Sequence, residues 1–187
     1  MRKPSILVMM LVGASAWAQG AEKKPAPAPA AVKAAPAAPD MMKPAPELKA
    51  EYGGMIGNWK CSGKGTFGGK AITTSGTYRA EWKLDGNWVV AHYEAKAPGM
   101  PGTHKGMDLY GYDAAAKMFV SFGTDNMGGW SMSKSKGWQG DTEEWTGNGV
   151  MMGKSQDVKW SITKKGDKDI TVKGSSGADS FEDHCTK

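Results

Sequence analysis

The sequence predicts an all-β domain, an antiparallel meander of about ten strands closed into a barrel, entered through one short helix and stapled by one disulfide. Three observations carry that expectation. Strand-like segments separated by turn compositions follow one another from residue 57 to the end of the chain. Helical spacing is confined to a single stretch before them. The two cysteines, Cys61 and Cys185, stand near opposite ends of the strand-rich portion.

The helical stretch is PELKAEYGGMIG, where Leu48, Tyr52 and Met55 fall at helical spacing, with Pro46 near the start and Gly57 past the end. The strand candidates, rich in β-branched and aromatic residues, are GNWKCSGKGTF, AITTSGTYRAEWKL, NWVVAHYEAKA, HKGMDLYGYD, KMFVSFGTD, GWSMSKSKG, WQGDTEEWTG, SQDVKWSITKKG, KDITVKG and FEDHCTK. Between them lie DG, PGMPG, DAAAK, NMGG and KKGDKD, all turn compositions. So many strands in succession favour a meander closed on itself.

One register can be written down. Asp85-Gly86 is a strong two-residue hairpin turn, which sets Leu84 opposite Asn87, Trp82 opposite Val89, Ala80 opposite Ala91 and Tyr78 opposite Tyr93. Opposed residues share a face, so this apolar set points inward. Arg79, His92, Glu81 and Glu94 fall on the outer face. By the same parity Trp59, Cys61 and Gly63 share the inner face of their strand.

An isolated cysteine pair in an exported chain reads as a disulfide. Bridged Cα atoms lie within about 7 Å, so the first and last strands must be neighbours. Closing so long a loop contributes roughly 5 kcal/mol on a chain-entropy basis. If the last strand is regular, Phe181 and Asp183 point inward with Cys185, and His184 points outward.

The export reading rests on residues 1–18. Arg2 and Lys3 precede an apolar run from Ile6 to Val12 and then Ala16, Trp17 and Ala18, the order of a secretory signal cut after Ala18. That run is short of the about 20 residues needed to span a bilayer, and no cysteine follows the cut to mark a lipoprotein. Residues 19–46 hold seven of the chain's ten prolines and little to bury, the composition of an extended, disordered Pro/Ala/Lys-rich linker. The folded domain is therefore 47–187, and the localisation expected is periplasmic or extracellular.

The net charge of +5 belongs mostly to the leader and linker: residues 51–187 carry seventeen basic and sixteen acidic side chains. A near-neutral domain without clustered positive charge is not a nucleic-acid binder, and no transmembrane segment is expected in the mature chain.

GKGTFG at 63–68 matches G-x-G-x-x-G, but strand-like alternation follows instead of the helix that receives a pyrophosphate, so it reads as a Gly-rich hairpin. His92, His104 and His184 are not at metal-ligand spacing; His92 and His184 point outward, and His104 after the PGMPG loop is placed at a rim. The pairs Glu143-Glu144 and Glu182-Asp183 alternate across their strands and do not converge. Met107, Met118 and Met132 are expected to fill core gaps or line a cavity, and the Met41-Met42 and Met151-Met152 doublets lack the histidine a copper site would add. No catalytic motif, metal site or cofactor is assigned, and no enzyme activity is expected.

The strings GNWKCSGKG, EWKLDGNWVVAHYEA and LYGYDAAAKMFVSFGTDNMGG together resemble the domain-of-unknown-function 1579 family of mostly bacterial proteins. The resemblance covers residues 49–187 and is strongest from Glu81 to Gly129. Its most specific pieces are the LDGNW turn and the GYD-x5-FVSF stretch; Phe122 stands where that family often has tryptophan. It implies a lipocalin-like barrel and transfers no catalytic residue. Two functions then compete. A small-ligand binder would use Trp59, Tyr78, Trp82, Val89 and Tyr93 to line a pocket for a small apolar molecule. A non-catalytic structural or interaction module of the cell envelope would pack those same rings into a filled core.

Overall fold

The computed structural model describes residues 43–100 and 102–187. The signal expected at 1–18 and the linker expected from residue 19 lie, up to residue 42, outside the described residues. Within the last residues assigned to the linker, Pro44 lies against Gly86, Ala45 packs on the core and Pro46 opens the helix.

The helix α1 (Pro46–Tyr52) continues into a 3-10 turn (Gly53–Met55). Pro46 suits its first turn, where the missing N–H has no partner to lose. Leu48, Tyr52 and Met55 are all buried, as the spacing predicts. Ten strands follow: β1 (Gly57–Phe67), β2 (Lys70–Lys83), β3 (Trp88–Lys96), β4 (His104–Asp113), β5 (Met118–Asp125), β6 (Trp130–Gln139), β7 (Thr142–Met151), β8 (Lys154–Gly166), β9 (Asp169–Ser176) and β10 (Asp179–Thr186). Each pairs antiparallel with the next, and β1 pairs with β10, so the barrel closes as a lipocalin-like meander.

Cys61 stands directly opposite Cys185 across the β1–β10 closure, and the two form the disulfide. The Asp85-Gly86 hairpin holds the register read from sequence, Trp82 with Val89, Ala80 with Ala91 and Tyr78 with Tyr93. Asp85 and Gly86 take positive φ of 56° and 87°, and Asn87 N–H donates to the Leu84 carbonyl at 3.0 Å, a turn whose twist matches the flanking strands. GKGTFG likewise runs along β1 into the Gly68-Gly69 turn. Asp183 and Cys185 face inward, and His184 faces out to Asp169 at 2.8 Å.

The structure corrects two sequence expectations. WQGDTEEWTG is not one strand: β6 runs through to Gln139 and the chain turns at Gly140-Asp141. The misleading glycine is Gly137, which sits at a bulge with φ of 85°, where a Cβ would lie 2.7 Å from the Phe119 ring. Met107, Met118 and Met132 do not fill the core or line a cavity. Their strands turn Asp108, Phe119 and Ser133 inward, and Met132 is 40% exposed outside.

The helix and the 3-10 turn plug one end of the barrel. Trp138 N–H donates to Glu51 Oε1 at 2.8 Å, Trp59 Nε1 donates to the Met55 carbonyl at 2.9 Å, and Lys187 Nζ donates to the Gly54 carbonyl at 2.8 Å. Above the plug the core is a stack of rings. Trp145 and Trp160 lie parallel at 4.8 Å, and Tyr110 meets both edge-on at 5.8 and 6.2 Å. Among the described residues the opposite end is formed by the turns that connect the strands. Among the described residues no helix is long and apolar enough to cross a membrane.

Candidate functional site

Between the ring stack and the hairpin end, the inward positions of several strands carry no side chain or a small one. Gly65, Gly76, Gly123 and Gly149 line this space together with Ser121 and Ser131. A Cβ on Gly76 would collide with the Glu94 carbonyl, and one on Gly65 with the Ser180 carbonyl, so glycine lets these strands approach closely. The result is an interior cavity of about 410 Å³.

Its walls differ in chemistry. Trp160, Ile162, Ile170 and Val172 form an apolar side, whereas Tyr78, Tyr93, Asp108, Tyr110 and Asp125 form a polar one. The Tyr93 ring lies over Gly106, its partner across β3 and β4. His104 begins β4 at the open end and turns inward; its ring meets Tyr93 edge-on at 5.3 Å, and Nε2 lies 3.4 Å from Asp125 Oδ2. Asp125 is held by the β5–β6 turn, its Oδ1 accepting from the N–H groups of Met127 and Gly129 at 2.8 Å each. Asp183 Oδ1 accepts from Thr74 Oγ1 at 2.7 Å.

Asp108 is enclosed by the barrel wall but faces the cavity, and burial alone pushes its carboxyl up to about 7. Burial, and then the charge of Asp108, raises the hydroxyls of Tyr78 and Tyr93 above their ordinary range, and Tyr110 well above it. These phenols are therefore neutral O–H groups throughout the physiological range. Below the cavity, at the plug, Glu143 is fully buried. Burial and then the neighbouring Glu51 raise it to about 7. Its Oε1 accepts a long 3.5 Å bond from Tyr52, and Oε2 has no hydrogen-bond partner among the described residues.

Of the residues nominated from sequence, Tyr78 and Tyr93 line the cavity together with Cys61 and Cys185. Trp59 and Val89, each 1% exposed, belong to the packed end, and Trp82 packs against that core. All five point inward as the parity requires. Parity, however, gives the face of a strand and not the height along the barrel, and the Asp85-Gly86 turn lies at the plugged end. Asp108 was missed although D-L-Y-G-Y places it on one face with Tyr110 and Tyr112. Glu143 was missed although it shares parity with Trp145.

A broader depression of about 770 Å³ on the β1–β2 and β9–β10 side opens to solvent among Lys64, Thr73, Lys173 and Glu182 and encloses nothing. Among the described residues no group of three or more His, Cys, Asp or Glu is placed to hold a metal ion.

A comparison with curated proteins finds no match. Among solved structures the chain is similar to a redesigned β-barrel, mFAP1, bound to DFHBI, with 14% identity and a TM-score of 0.37 over 73% of this chain and 98% of that one. A family model described as "Protein of unknown function (DUF1579)" matches residues 52–177, and the chain belongs to that family.

Proposed function

We propose that this protein is a non-catalytic binder of one small organic molecule, held in the upper half of the barrel, and that it works in an oxidising compartment outside the cytoplasm. The cavity carries the reading: about 410 Å³ of interior space falls within the range of small-molecule sites, about 300–1,000 Å³. The filled-core alternative needs rings to meet across the upper half as Trp145 and Trp160 do below, and the inward residues there include glycine and serine. The Cys61–Cys185 bond supports an oxidising compartment, and the residues at 1–18 support export to it.

Two measurements test the proposal. Native mass spectrometry of protein purified without denaturation from its own source is expected to show a small molecule bound one to one. Titration with Nile red, a neutral dye, is expected to give saturable enhancement with the same stoichiometry. Val158 faces the cavity opposite Gly147, and Val158→Trp is expected to weaken the dye at least about tenfold by filling the space, against about 1.4 kcal/mol per tenfold. A wild-type protein that carries no molecule and binds no dye would overturn the reading.

A further inference from the structure

We infer that the molecule this cavity takes carries a cationic amine, seated on the Asp108 carboxylate among the rings of Tyr78, Tyr93 and Tyr110. This rests on the small-molecule reading above and sharpens it, since a wholly apolar ligand would leave the polar wall unanswered.

Four carboxylates, Asp108, Asp125, Asp179 and Asp183, and one base, His104, line the cavity from inward positions. Three of the four carboxylates are occupied by the fold. Asp125 closes the β5–β6 turn and lies beside His104, Asp179 accepts from the N–H groups of Gly68 and Gly69, and Asp183 takes the Thr74 hydroxyl. Asp108 is different. Its neighbours across the sheet are Ala91 and Gly123, neither of which has a side-chain donor. Tyr78 from β2, Tyr93 from β3 and Tyr110 from β4 feel its charge, while Tyr78 and Tyr110 pair their hydroxyls with each other. No described residue donates a hydrogen bond to it, and no lysine or arginine stands among its charged neighbours.

Asp108 is half-buried and turns its carboxylate to the cavity with no side-chain donor on it, an arrangement that leaves a charge held away from bulk water without a partner. What the site lacks is one positive donor. An ammonium supplies both the charge and the hydrogen bonds, and tyrosine faces attract it further. The apolar wall of Trp160, Ile162 and Ile170 takes the rest of the molecule. An anion would face four inward carboxylates, and the one inward base, His104, already lies beside Asp125.

The test uses three probes of one shape: 2-naphthylmethylamine, 2-naphthylmethanol and 2-naphthoate, titrated calorimetrically into the full exported chain at pH 8. The amine is expected to bind at least about tenfold more tightly than the alcohol, the scale of a charged hydrogen bond, and the naphthoate least. Asp108→Asn, nearly isosteric, is expected to remove the amine's advantage and leave the alcohol within about threefold, with Nile red binding as the check on folding. In the wild type, amine affinity is expected to fall as pH drops below 7 while alcohol affinity holds; this arm needs no variant. Equal binding of amine and alcohol by a protein that still binds Nile red overturns the amine and leaves the small-molecule reading standing. Binding of none of the probes, the dye included, overturns both.

Discussion

The two halves of this barrel are built from the same ten strands and obey opposite rules. Near the helix, inward positions hold Trp59, Tyr110, Phe119, Trp145 and Ile162, and the rings lock at stacking and edge-to-face distances. Toward the hairpin end the same strands offer Gly76, Gly123, Gly149 and Ser131, and the space stays open. Stability is therefore concentrated in one half, and the other is free to carry unsatisfied chemistry. Among the described residues no helix covers the open end.

The largest effect that separates the halves should come from Trp145→Ala. Trp145 is 1% exposed and stacked on Trp160, so truncation removes a large buried surface and leaves a void that the closed sheet cannot collapse. Urea unfolding is expected to show a loss of about 3–5 kcal/mol. A loss near 1 kcal/mol would mean that the ring stack is not where the barrel keeps its stability.

Much of the fold was legible in the sequence, and the unread part, the division into a packed and an open half, has one physical origin. The strand count, the closure through Cys61 and Cys185, and the β2–β3 register all follow from local rules: turn residues, alternation and bond geometry. Height along the barrel follows from none of these. It depends on where the helix docks, and that contact is made by Tyr52 with Tyr110 and Phe119, residues far apart in the chain. Trp82 and Val89 were therefore placed on the right face and at the wrong level. The carboxylates escaped for a related reason, because an acidic residue within an alternating strand is read as solvated unless its neighbours on that face are counted. Asp108 shares its face with Tyr110 and Tyr112, and Glu143 shares its face with Trp145.

Glu143 sharpens the comparison through pH. It is a buried carboxyl in the packed half, faced by Glu51 and Tyr52 from α1, and Tyr78 from β2 adds to the same environment. Lys164 Nζ lies 3.5 Å above the Trp138 ring, near Glu51. Its pKa of about 7 in the fold stands above the ordinary 4.5, so the folded protein holds this proton more tightly than the unfolded chain. The stabilising contribution is complete below about pH 4.5 and is lost as pH rises through 7, a total of up to about 3 kcal/mol. Asp108 titrates in the same direction, so the informative quantity is the difference between variant and wild type. Glu143→Gln is expected to flatten the decline between pH 5 and 8 and to be the more stable protein at pH 8, by about 1–3 kcal/mol in urea unfolding. A variant that tracks wild type across that range would show that Glu143 stays ionised in the fold.

The smallest effect on stability is expected at the open end, from Phe181→Ala. Its ring is 41% exposed and lies over Gly174, its partner on β9. Much of its apolar surface already meets solvent, so removal is expected to cost under about 1 kcal/mol. The ring does, however, line the cavity at its mouth. Truncation should widen the way in, and stopped-flow release of Nile red is expected to quicken by severalfold while the unfolding midpoint barely moves. A residue that guards access without supporting the fold is what the division between the halves requires here. If Phe181→Ala costs as much as Trp145→Ala, the open end is part of the core, and the barrel has one rule instead of two.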